Sequence, residues 1–151
     1  MRIEKYIYKP KTIDPLWKHY FSESVEGQEY TVLIDCRENL VMSDTEFELR
    51  TNQPILEQAY GDVLIVGLGL NVINDKVLKL DQVSSVDTIE ISKWVIDNVE
   101  TLTNIIQGNY KTHPFTKTYD VVYFDAFDTF VQKPLLDILK PKGKLINWEP
   151  I

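Results

Sequence analysis

Asp62-Val63-Leu64-Ile65-Val66, apolar in all but its first residue, opens directly into Gly67-Leu68-Gly69-Leu70-Asn71, and no other stretch of the chain restricts the choice of fold as much. A strand without polar alternation must be covered on both faces, which is the condition of a parallel sheet flanked by helices. Glycines at its C-terminal end permit a tight turn and leave backbone N–H groups facing a crevice.

The pattern that follows alternates short apolar runs with longer amphipathic ones. Asp87–Ile91 reads as a second strand, Ile105-Ile106-Gln107 as a degenerate third, Tyr119–Phe124 as a fourth and Lys144–Trp148 as a fifth. Between them, Asn71 to about Leu80 supplies one helix. Ser92 caps another through about Leu102, with Val95, Val99, Leu102 and Ile106 as its buried stripe. Pro134 suits the first turn of a helix through Lys140, which Pro141 and Gly143 then end.

Upstream, Tyr30–Asp35 and Asn39–Ser43 are β-type runs separated by Cys36-Arg37-Glu38, the length of a hairpin loop. Within residues 1–29, Ile3, Tyr6 and Tyr8 fit a further strand, and Pro15–Phe21 fits one or two helical turns. The expected fold is α/β: a Rossmann-like, three-layer parallel sheet of about five strands, preceded by a small N-terminal β-hairpin unit. The division falls near Pro54, giving residues 1–53 and 54–151.

Charge and cysteine usage exclude several classes. With 16 basic against 23 acidic side chains and a net charge of -7 over 151 residues, the overall field repels nucleic acid. One cysteine, Cys36, allows neither an intrachain disulfide nor a zinc-thiolate cage. His19 and His113 are lone imidazoles without metal-ligand spacing, so no metal is expected. Glu4 and Lys5 interrupt the place where a signal peptide needs its apolar run, and no stretch reads as a membrane span. A cytoplasmic protein is the expectation.

Three places can carry chemistry. In the glycine turn, Gly67 permits the tight bend and Gly69 the close approach of a ligand, while Asn71, where a third glycine would fall, tolerates left-handed geometry but brings a side chain into the crevice. A turn with no ligand is the alternative. Glu90 lies nineteen residues after Asn71, near the end of the second strand, where an acid can accept both hydroxyl hydrogens of a ribose. Its alternative is a solvated acid at a strand end. Asp125, directly after the fourth strand, faces the same crevice if the first and fourth strands flank the switch point. One carboxylate there can deprotonate or position an amine nucleophile while another fixes its charge. Asp128 fits that second role and fits a helix cap equally.

Together, Gly61 to Glu90 and Tyr119 to Asp128 resemble class I S-adenosylmethionine-dependent methyltransferases, and within them the spermidine-synthase-like branch. Leu33-Ile34-Asp35 and Leu40 through Phe47 look like the strands and acidic segment that precede the core of spermidine synthases. The resemblance implies that Gly67 and Gly69 form a cofactor loop, that Glu90 holds the ribose, that Asn109 sits near the adenine, and that Asp125 and Asp128 are the catalytic and second substrate-binding aspartates.

Departures are specific. Leu68, Leu70 and Asn71 stand where spermidine synthases have a glycine, an aspartate and a glycine. Ile65 stands where methyltransferases normally have an acid, and Arg50 lies near where a polyamine-holding cluster would be and would repel a cationic acceptor. A complete methyltransferase core has seven strands and this chain reaches five. The fifth-strand edge is therefore expected to be covered by residues 1–29 or by another copy in a homo-oligomer.

The resulting expectation is an S-adenosylmethionine-dependent methyltransferase acting on a small-molecule acceptor. Aminopropyl transfer from decarboxylated S-adenosylmethionine is the second reading. A non-catalytic nucleoside-binding or structural subunit is the third.

Overall fold

The computed structural model describes residues 1–148. Strands β1 (Arg2–Ile7), β2 (Glu29–Ile34) and β3 (Leu40–Ser43) form an antiparallel sheet in that order. Its register sets Arg2 opposite Ile34 and Leu33 opposite Met42. Tyr6, Tyr8, Trp17, Phe21 and Tyr30 pack on one face, with Tyr6 edge-on to both Trp17 and Phe21. The Pro15–Phe21 segment contributes one 3₁₀ turn, Lys18–Phe21.

Helices α1 (Glu46–Thr51) and α2 (Gln53–Gln58) lead into a parallel sheet. Its strands are β4 (Gly61–Val66), β5 (Val83–Glu90), β6 (Asn104–Gln107), β7 (Tyr119–Phe124) and β8 (Leu139–Asn147), ordered β6-β5-β4-β7-β8. Helices α3 (Asn74–Leu78), α4 (Lys93–Asn98) and α5 (Gln132–Leu136) complete this α/β, Rossmann-like architecture. The apolar character of β4 from Val63 to Val66 has its reason in the packing. Val63 and Ile65 join Ile55, Ile73, Val77 and Tyr123 on one face, and Leu64 and Val66 join Ile89, Val122, Phe124 and Leu135 on the other. A further cluster of Leu33, Met42, Leu68 and Val95 ties the N-terminal sheet to the glycine turn and to α4.

Three helices are shorter than their apolar spacing suggests. α4 stops at Asn98, and Leu102 is 67% exposed, not part of a buried stripe. The Asp75 carboxylate accepts from the Thr101 hydroxyl at 2.7 Å and from the Leu102 N–H at 2.9 Å, while Thr103 bonds Thr88 at 2.8 Å. These bonds hold residues 101–103 in a loop and leave Ile106 to β6. α3 begins at Asn74, not Asn71, because Asn71 has φ 57°.

α5 ends before Lys140, and Pro141 and Gly143 lie inside β8 instead of stopping a helix. Lys142 has φ 65° and the β7–β8 register shifts between Tyr119 and Val121, so this stretch is a bulge. Lys140 is drawn into the strand by Asp62 and Asp120, at 2.8 and 3.0 Å. Among the described residues, β8 pairs only with β7. Within residues 1–29 the strand β1 does not pair with β8, contrary to one of the two expectations, because it finds its hydrogen-bond partners in β2. No helix among the described residues is long and apolar enough to cross a membrane.

Candidate functional site

Order β6-β5-β4-β7-β8 makes β4 and β7 the neighbours from which the chain departs in opposite directions, so a crevice opens beyond their C-terminal ends. Gly67 closes β4 with φ 111°, and a Cβ there would overlap the Asp125 carbonyl oxygen. The Asp125 N–H in turn donates to the Val66 carbonyl at 2.9 Å. Gly67 is thus demanded by the meeting of two strand ends.

Gly69, with φ 53°, does allow a close approach, but the group that approaches is the Met42 thioether. The Leu70 N–H points at Met42 Sδ, 3.2 Å away. Asn71 adopts the left-handed backbone expected of it, yet its side chain turns out of the crevice. Its amide donates to the Glu100 carbonyl at 2.9 Å and its oxygen accepts from the Asp75 N–H at 3.1 Å. Asn71 is not among the residues that line the pocket.

Glu90 is 9% exposed and held at both oxygens: Oε1 accepts from the Leu68 N–H at 3.0 Å and Oε2 from the Ser92 N–H at 2.8 Å. It is therefore not a solvated strand-end acid. Each oxygen keeps a second acceptor position, so the carboxylate is fixed but not saturated. Asn109, just past β6, lines the same pocket and accepts from the Lys111 N–H at 3.0 Å.

Asp125 is half-buried, and burial pushes its carboxyl up to about 7. Asp128 is exposed at the rim, bound to Lys111 Nζ at 3.0 Å and to the Thr129 N–H at 2.7 Å, and Lys111 then Thr129 hold it below the usual carboxylate range. The helix-cap role considered for Asp128 is not what forms, since the N-cap of α5 is Val131.

One residue of this site escaped the sequence reading. Glu48, on α1, is 4% exposed and faces the same pocket. Burial, then the nearby Asp125 carboxyl, pushes it up to about 8, with the Ser43 backbone pulling the other way. The spacing Thr45-x-x-Glu48 reads locally as a helix-capping pattern, and Thr45 does accept from the Glu48 N–H. Only the packing of α1 shows that the carboxyl faces the pocket. Arg50, two residues on, pairs with Glu23 and lies over the Phe47 ring, outside the pocket, so it exerts no contact repulsion on an acceptor.

The pocket holds about 200 Å³ and is bordered by four carboxyls: Glu48, Glu90, Asp125 and Asp128. Among the described residues, no Lys, Arg or His side chain lines it. Carboxyls in such a lining favour a cationic group beside them.

No protein-family model matches the chain, and no curated protein matches it. Solved structures do share its fold. The glycopeptide N-methyltransferase MtfA complexed with S-adenosylmethionine aligns over 67% of this chain and 52% of its own, with TM-score 0.52 and 18% identity. Its complex with S-adenosylhomocysteine aligns over 66% and 47%, with TM-score 0.51 and 17% identity. The PH0226 protein from Pyrococcus horikoshii aligns over 66% and 55%, with TM-score 0.50 and 22% identity. This chain spans about half the length of these structures.

Proposed function

We propose that this chain binds S-adenosylmethionine and transfers its methyl group to a small-molecule amine. The observation that carries the reading is the pocket bordered by four carboxyls and by no basic side chain, at the switch point of a fold shared with a methyltransferase. A sulfonium and an ammonium are the cations such a lining suits.

The residues present fit the cofactor in kind. Glu90 keeps acceptor capacity for two ribose hydroxyls, Gly67 and Gly69 keep side chains off the turn, and Asn109 stands ready for a base edge. The pocket volume is about 200 Å³, and the Met42 side chain occupies the space beside Gly69. The bound cofactor would supply a methyl group on a positively charged sulfur, an electrophile that needs an aligned nucleophile. Asp125 takes the proton that the acceptor nitrogen releases, and a carboxyl raised to about 7 is matched to that task at neutral pH. Glu48, raised to about 8, stays mostly protonated there and orients the acceptor by hydrogen bonding. Asp128 and Lys111 close the rim.

Two expected results test this. With a supplied amine, Asp125→Asn should lower kcat/KM by about 10²–10⁴ while leaving cofactor affinity within a few-fold, since it removes a general base. Unchanged turnover would remove Asp125 from the chemistry. In calorimetric titration, Glu90→Ala should weaken S-adenosylmethionine by about 1.5–3 kcal/mol through loss of charged hydrogen bonds. Equal affinity would remove Glu90 from the site.

The acidic lining also favours a second reading, aminopropyl transfer from decarboxylated S-adenosylmethionine. Leu70, standing where spermidine synthases have an aspartate, opposes it. Tighter binding of the decarboxylated compound in the same titration would select this reading.

A further inference from the structure

The same turn that makes the pocket also closes it, and the closing group comes from another sheet. Met42 lies on β3, in the antiparallel unit, opposite Leu33. Its sulfur sits 3.2 Å from the Leu70 N–H, and its Sδ and Cε fill the space that the missing side chain of Gly69 leaves. A thioether is a weak acceptor, so this N–H is poorly satisfied by its present partner. Methionine has three rotatable side-chain bonds, and its sulfur can leave the turn without any change in the β3 backbone.

We propose that Met42 is a displaceable plug of the glycine turn and that it selects ligands offering an anionic oxygen to the Leu70 N–H. The exchange replaces a weak N–H···S contact by a charge-assisted N–H···O bond, which favours it. A ligand whose tail ends in a carboxylate performs this exchange. One whose tail ends only in an ammonium has no acceptor to present, and one without a tail leaves the plug where it is. Met42 and Leu70 therefore set the preference for the carboxylated cofactor over its decarboxylated form. The proposal rests on the cofactor reading above and adds a residue that no property of the turn's own sequence indicates.

The energetic signature is a conformational toll. If the turn is open about a tenth of the time, apparent affinity for a plug-displacing ligand falls roughly tenfold, and truncating the plug restores it. Methionine occurs only at positions 1 and 42, so a protein labelled at methionine ε-methyl carbons shows two side-chain signals, and Met42→Leu identifies which is which.

The experiment titrates the labelled full chain with S-adenosylmethionine, decarboxylated S-adenosylmethionine and methylthioadenosine, followed by methyl NMR and by calorimetry. S-Adenosylmethionine is expected to shift the Met42 methyl signal, and methylthioadenosine to leave it in place. Met42→Ala and Met42→Leu are both expected to bind S-adenosylmethionine roughly tenfold tighter and methylthioadenosine unchanged. S-Adenosylmethionine that binds with an unmoved Met42 signal and equal affinity in both variants overturns the plug and leaves the cofactor reading standing. Silence from all three ligands with every variant overturns the cofactor reading and the plug with it. Met42→Leu, which keeps an apolar side chain in the core, supplies the assignment and the affinity test even if Met42→Ala folds poorly.

Discussion

Gly67→Ala is expected to destabilise the protein by about 4 kcal/mol, combining the strain of a side chain held at a positive φ with the overlap of a new Cβ on fixed backbone. The obstacle is the Asp125 carbonyl oxygen, and it cannot step aside. Asp125 is bonded through its own N–H to Val66 at 2.9 Å, and the Gly67 N–H is bonded to the Ile89 carbonyl at 2.9 Å. Three strand ends thus converge on this residue. Gly69→Ala is the natural comparison, because the atoms it meets are the far end of the flexible Met42 side chain. Its cost should be clearly smaller, about 1–2 kcal/mol for the left-handed backbone alone. Urea denaturation of the pair measures the difference. Equal losses would mean that β4 and β7 do not meet as tightly as the hydrogen bonds require.

Glu48→Gln should remove most of an alkaline loss of stability. The Glu48 carboxyl, raised from 4.5 to about 8, binds its proton more tightly in the folded chain than in the unfolded one. Its contribution to stability is accordingly full below the unfolded value and is lost as pH rises through about 8. Above that pH the folded state carries an ionised carboxylate in a pocket shared with Asp125, whose own carboxyl is raised to about 7. Glutamine has the same shape and no charge to desolvate. The variant should match the parent near pH 4 and exceed it near pH 9 by on the order of 4 kcal/mol, one unit of pKa being worth about 1.4. Thermal unfolding across this range is the check. A stability difference that does not change with pH would show that Glu48 is solvated and unconnected to Asp125. Asp125→Asn should act in the same direction, and the two effects should not add, because each carboxyl raises the cost of ionising the other.

These outcomes separate two levels of information. The β4 run, the glycine turn, Glu90 in β5 and the β7 run with Asp125 directly after it were all legible from local pattern, and each lies where that pattern puts it. Helix lengths were not. The stripe Val95, Val99, Leu102 and Ile106 keeps a helical period, but Asp75, remote in sequence, offers residues 101 and 102 better hydrogen bonds than a further helical turn would. Pro141 and Gly143 are helix breakers by propensity, and they break nothing because Lys140 is already committed to Asp62 and Asp120 in β8. Glu48 stayed hidden for the same kind of reason, as its spacing from Thr45 satisfies a local capping pattern.

Local stereochemistry therefore accounts for the strands of the parallel sheet, the glycine turn and the strand-end acids Glu90 and Asp125. An apolar run, a turn needing positive φ and an acid at a strand end depend on neighbours within a few residues. Which side chain fills the turn, and which carboxyl stands beside Asp125, depended on how the N-terminal unit docks. Met42 meets Leu70 across 28 residues of chain, and Glu48 reaches the pocket only through the packing of α1. Contacts of that kind follow from buried surface and shape complementarity between elements, which no periodicity in the chain encodes.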